Sequence, residues 1–133
     1  MIYILDTNVV SALRRPDRAP NLLLWLIDKP ESELFLSVIT LGEIERGIVQ
    51  QRRRNPDFAD DLRNWLDRTV TLFADRILPF DAAAARQWGR LSASLGHTGA
   101  DLMIAATAIA TGATVVTGDG GFAAMGVRVA NPF

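Results

Sequence analysis

Apolar and polar positions along the chain keep two rhythms. Short runs rich in aliphatic and β-branched residues at 2–5, 34–38, 77–80, 114–117 and 127–129 suit buried strands. Between them, stretches 7–14, 20–28, 41–53, 57–73, 82–95 and 100–111 read as helices. Leu62, Leu66, Val70 and Phe73 carry the helical repeat in one of these, and Trp88, Leu91 and Leu95 in another. The stretch 100–111 is apolar almost all round and stops at Gly112, the pattern of a buried helix with a glycine terminus. Strands alternating with helices predict an α/β fold, with a central, mostly parallel β-sheet flanked by helices on both faces and joined by right-handed crossovers. No repeat, low-complexity tract or linker interrupts the pattern, so residues 1–133 read as a single domain.

Composition removes several alternatives. Hydrophobic residues at 49% and charged residues at 22% belong to an ordinary globular domain. The absence of Cys excludes thiol nucleophiles and disulfides and fits a reducing compartment. The longest strongly apolar run, 22–27, falls short of the roughly 20 residues of a membrane span. No basic segment precedes the apolar start, so a cytoplasmic protein without a membrane partner is expected. The net charge of −1 does not announce a nucleic-acid binder. Lys29 is the only Lys among the basic residues, however, and Arg52, Arg53 and Arg54 follow closely behind Arg46. Such a run is either a phosphate-contact patch or the solvated C-terminal turn of a helix, where cations oppose the helix dipole.

The candidate chemistry lies in four acids. Asp6 ends the first strand run, and in open parallel sheets ligands bind beyond the carboxyl ends of the strands. A carboxylate there is costly unless paired, hydrogen-bonded or metal-bound, although Asp6 also suits the N-cap of a helix starting at Thr7. Glu43 lies in the first turn of the predicted helix 41–53, where Thr40 and Glu43 match a capping box. Glu45 points to another face and reads as solvated or paired with an Arg. Asp101 opens the buried helix, where its local role is capping or dipole compensation. Asp119 follows the strand 114–117 within an Asp-Gly turn signal.

Taken together, these acids converge on one edge of the predicted sheet, and clustered carboxylates at neutral pH call for a divalent cation. An all-oxygen set suits Mg²⁺ or Mn²⁺ rather than Zn²⁺. His97 stands alone between Gly96 and Thr98 and reads as a loop residue. No Walker A loop, dinucleotide-binding glycine motif or G-x-S-x-G elbow offers a competing chemistry.

"ILDTNVV", "SVITLGEIERGI", "ADLMIAATAIATG", "VVTGDGGF" and "GVRVANPF" together resemble, in order and spacing, the blocks of PIN-domain ribonucleases, in particular the VapC/FitB toxins of type II toxin–antitoxin systems. The resemblance runs over the whole chain. It implies a Mg²⁺- or Mn²⁺-dependent endoribonuclease that hydrolyses RNA phosphodiesters and is inhibited by a cognate antitoxin. It also implies a homodimer, with a higher assembly on DNA through the antitoxin. Asp6, Glu43 and Asp101 match the family's first three acidic positions, and Thr7, Asn8 and Thr117 match polar positions beside the metal. The fourth block departs from the family's T-x-N-x-x-D-F. Thr117-Gly-Asp119-Gly-Gly-Phe122 carries acid at the amide position and lacks the later one, so Asp119 either replaces the fourth ligand or leaves a three-carboxylate site. Arg46, Arg52 and Arg53 are the candidate contacts to RNA phosphates. The stretch "NLLLWLID", 21–28, is apolar nearly all round, which fits either a core helix or one covered by another chain, and the resemblance implies the latter, an interface for the homodimer and antitoxin. Two other readings fit the same residues. One is a non-catalytic PIN-like binding module with a decayed metal site. The other is a Mg²⁺-dependent phosphotransfer domain, disfavoured because Asp6 has no second acid two residues on and no Lys follows Lys29.

Overall fold

The structure is a computed structural model describing residues 1–133. Five parallel strands form one sheet in the order β3-β2-β1-β4-β5. They are β1 (Tyr3–Leu5), β2 (Leu34–Ser37), β3 (Ile77–Leu78), β4 (Thr114–Val116) and β5 (Arg128–Ala130). The helices are α1 (Thr7–Ala12), α2 (Pro20–Ile27), α3 (Val38–Arg52), α4 (Pro56–Leu72), α5 (Ala82–Leu95) and α6 (Ala100–Thr111), with short 3₁₀ turns at Pro16–Arg18, Glu31–Glu33 and Gly120–Met125.

The two-residue period of a strand explains why both faces of the sheet are covered. Ile4 and Val115 point into one core with Leu102, Ile104, Ala105 and Ala108 of α6 and with Phe122. Their neighbours Leu5 and Val116 enter a second core with Val9 and Val10 of α1, Leu22 of α2, Leu36 of β2 and Phe73. The alanines of α6 are small enough to bring its backbone close to the sheet, and Gly112 ends it with a φ of 68°, the left-handed conformation that favours glycine. A smaller cluster of Ile48, Ala59 and Leu66 joins α3 to α4.

Where the elements differ from the sequence reading, a local reason is visible. Helix α3 starts at Val38, not at residue 41, because Ser37 both ends β2 and caps the helix, its Oγ accepting the Ile39 N–H at 3.1 Å. The β-branched residues at 38–40 therefore extend a helix, and Thr40 is buried within it instead of capping it. Strand β5 lies one residue later than expected, and β3 is held to two residues by its pairing with Leu36 and Ser37.

Strand β1 pairs with β2 on one side and with β4 on the other, Tyr3 opposing both Leu34 and Thr114. The order of connection reverses at β1, and a crevice opens beyond the carboxyl ends of β1 and β4. Leu24 of α2 is 68% exposed, and Ile27 of α2, 72% exposed, shares an apolar groove with Leu72 of α4, 61% exposed. No helix is long and apolar enough to cross a membrane.

Candidate active site

At that crevice lies a cleft of about 460 Å³ whose lining is polar except for Phe122. Its acids come from four separate places in the fold. Asp6 follows β1, Glu43 projects from α3, Asp101 from the first turn of α6, and Asp119 from the loop after β4. Thr7, Asn8 and Ser11, all on α1, complete the wall.

Asp6 is the most constrained of them, with only 7% of its surface exposed. It occupies the N-cap of α1 and so fulfils its local role as well as facing the cleft. One carboxylate oxygen accepts the Thr7 N–H at 2.8 Å, and the other accepts the Thr117 hydroxyl at 2.7 Å. Burial raises its pKa above the ordinary value, the bonds from Thr117 and Thr7 pull it back, and the charges of Glu43 and Asp119 add to the rise.

The other acids are tied into the same network. The Thr7 hydroxyl donates to Glu43 at 2.6 Å and stands 3.0 Å from the Thr40 hydroxyl, so Glu43 is turned toward α1 by a contact across 36 residues. The expected capping box is absent. Glu43 lies in the second turn of α3, and its hydrogen bond goes to Thr7 rather than to the helix end. Asp101 is not the cap of α6 either. Gly99 takes that position, and Asp101 Oδ1 accepts the Leu102 N–H at 2.9 Å. A side chain at Gly99 would stand 2.8 Å from that oxygen, so the glycine leaves room for the carboxylate. Asp119 holds its turn as expected, its Oδ1 accepting the Gly121 N–H at 2.8 Å, while still lining the cleft. Thr117, fully buried, connects the two ends of the site by donating to Asp6 and accepting the Asp119 N–H at 2.9 Å.

Several expected residues lie elsewhere. Arg46, Arg52 and Arg53 do not line the cleft; Arg52 instead pairs with Asp60 of α4 at 2.8 Å, and Arg53 caps the end of α3. Arg52 and Arg53 match the helix-end reading of the arginine run, whereas Arg46 is exposed in the middle of α3. Glu45 pairs with Arg63 at 3.0 Å, as its sequence position suggested. His97 is exposed in the loop between α5 and α6. Arg14 lines a neighbouring groove together with Thr7, Ser11 and Glu43. Neither Ser11 nor Arg14 carries a local sequence signal, apart from the helical step that puts Ser11 one turn beyond Thr7.

No three acids stand close enough together to hold one ion between them. The donor set is nevertheless all oxygen, and the buried Asp6 beside two further negative charges is an arrangement that a hard cation relieves. The residues present would therefore fit a divalent metal held by few carboxylates, with water completing its shell.

A PIN-domain family model matches residues 3–127. Among curated relatives, Ribonuclease VapC14 of Mycobacterium tuberculosis is 47% identical over 70 residues, covering 53% of this chain and 68% of that one. Toxin FitB of Neisseria gonorrhoeae is 34% identical over 142 residues, covering 99% of both. The crystal structure of FitAcB from Neisseria gonorrhoeae is similar with a TM-score of 0.84 and 35% identity, over 98% of each chain.

Proposed function

The chain belongs to the PIN-domain family, and from that premise we propose that it is a Mg²⁺- or Mn²⁺-dependent endoribonuclease toxin held in check by a cognate protein antitoxin. The observation that carries this reading is the meeting of four acids from four separate elements in one polar cleft, one of them almost completely buried.

Asp6 and Asp101 are assigned as direct metal ligands, with Glu43 and Asp119 completing the acidic set. A bound divalent ion supplies Lewis-acid chemistry for phosphodiester hydrolysis. The chain's own residues supply position and charge. Thr7 and Thr117 orient the carboxylates of Glu43 and Asp6 through their hydroxyls. Asn8 and Ser11 offer neutral hydrogen-bonding groups to the phosphate oxygens of RNA on the cleft wall. Glu43, exposed and held by a single hydroxyl, is the acid best placed to accept a proton from attacking water. Asp119 retains an acid in the altered fourth block, which favours a working site over a decayed one.

Antitoxin and a second copy of the chain are the protein partners, with assembly on DNA through the antitoxin. The exposed apolar face of α2 and Leu72 supports a protein–protein contact. The test is cleavage of RNA by antitoxin-free protein with Mg²⁺ or Mn²⁺, compared with EDTA and with Asp6→Asn. Cleavage should require the metal and be lost in the variant; undiminished cleavage in EDTA by a ribonuclease-free preparation refutes the mechanism.

A further inference from the structure

We propose that the groove beside the acid cleft is a nucleobase subsite, which takes the base of a nucleotide flanking the scissile phosphate against the Arg14–Phe58 pair. The inference rests on the ribonuclease reading and adds to it a place where sequence preference is set.

The groove, about 290 Å³, runs between α1, α3 and the start of α4. Thr7, Ser11 and Glu43 line both it and the acid cleft, so the two hollows are continuous, and a strand held at the acids passes directly into the groove. Beyond Glu43 the wall changes character. Ile44, Ile48, Phe58 and Leu62 make it apolar, which suits the face of a base and not a second phosphate. Arg14 is the one cation there. Its guanidinium carbon lies 5.2 Å from the centre of the Phe58 ring, and no carboxylate forms an ion pair with it.

An aromatic ring and an unneutralised guanidinium plane are the two side-chain surfaces on which single-stranded bases stack. The same charge attracts the phosphate joining that base to the next nucleotide. Gln51 contributes a side-chain amide, with donor and acceptor, able to meet a base edge. An apolar peptide would find the aliphatic wall but would bury Arg14 without a partner; a nucleotide satisfies both.

The test uses a short single-stranded RNA that the parent protein cleaves with Mg²⁺, together with derivatives that each lack one base near the cut. Parent, Phe58→Leu and Arg14→Lys are compared; the first variant keeps apolar bulk without an aromatic face, the second keeps charge without a plane. One particular abasic position should raise KM for the parent by about 5- to 150-fold with kcat changing far less. Each variant should raise KM for the intact strand, yet match the parent on that abasic strand, because the lost partner is then already missing. Equal penalties on intact and abasic strands, or an absence of any sensitive position, overturn the subsite while leaving the ribonuclease reading intact. Variants that cleave RNA like the parent but escape inhibition by the antitoxin assign the groove to a peptide and overturn it too. A parent that cleaves no RNA removes the underlying reading, and the subsite with it. Should Phe58→Leu fail to fold by thermal melting, Arg14→Lys on the groove wall decides alone.

Discussion

Thr117→Val removes one hydroxyl and little else, and its effect can be worked out from the contacts around Asp6. The hydroxyl donates to an Asp6 oxygen at 2.7 Å inside a buried site, and a hydrogen bond to a charged group contributes about 1.5–3 kcal/mol. Valine has nearly the same shape, so no cavity is added. The Asp119 N–H also loses its acceptor, but Asp119 is exposed and water can replace it. For a domain of 133 residues, the average unfolding entropy per residue turns that loss into a fall in Tm of roughly 5–11 °C at neutral pH.

The pH dependence gives the sharper test. Asp6 has a folded-state pKa above its unfolded value, so it favours folding most when protonated, and that contribution is lost as pH rises through the folded pKa. The Thr117 bond limits the rise by favouring the ionised form. Without it, the metal-free variant should lose more stability than the parent as pH increases. Below the ordinary carboxylate range Asp6 is protonated in both, and the deficit should shrink to the ~0.5–1.5 kcal/mol of a neutral hydrogen bond. Thermal melts of both proteins in EDTA across pH 3–8 provide the assay. A deficit that is constant with pH, or equal melting at neutral pH, would refute the claim that Thr117 stabilises the Asp6 carboxylate.

Asp119→Asn can keep the bond to Gly121, so metal-free Tm should change by less than about 2 °C. Mn²⁺ affinity measured by calorimetry should fall, and unchanged affinity would leave three working acids. Asp101→Ala should relieve growth arrest in a bacterial host while remaining folded by circular dichroism; a folded, still toxic variant would remove Asp101 from the site. Gly99→Ala forces its new methyl against the Asp101 carboxylate, so Mn²⁺ binding should weaken more than thermal stability. Leu24→Glu places a charge on an exposed apolar face and should lower the oligomeric state in light scattering with little change in the monomer's Tm.

Much of this molecule is legible in the chain because period and position coincide. The two-faced burial of β1 and β4 follows from unbroken apolar runs, and the meeting of Asp6 and Asp119 follows from each coming after a strand. The start of α3 was not legible, since Ser37, Val38, Ile39 and Thr40 are as suitable for a strand end as for a helix start, and only the Ser37 cap decides. That displacement also gave Glu43 a false local role. Local signals and site geometry are not exclusive: Asp6 caps a helix, Asp119 holds a turn, and both line the cleft. The Arg14–Phe58 pair was invisible because its members are 44 positions apart and meet only where the segment after α1 comes near the first turn of α4. The link from Thr117 to Asp6 spans 111 residues and has no spacing signature at all.

That last separation bears on the birth of the protein. The first strand is made at once, but its β4 neighbour and the hydroxyl that braces Asp6 belong to the final fifth of the chain. A contact so distant in sequence forms late in folding, after most of the polypeptide has emerged from synthesis. A translation product that stops short of residue 114 carries Asp6 and Glu43 but neither β4 nor Thr117 to fix the cleft. An incomplete copy therefore lacks the strand and the hydroxyl that hold Asp6 in place, and the acid cleft is complete only when the chain is nearly finished.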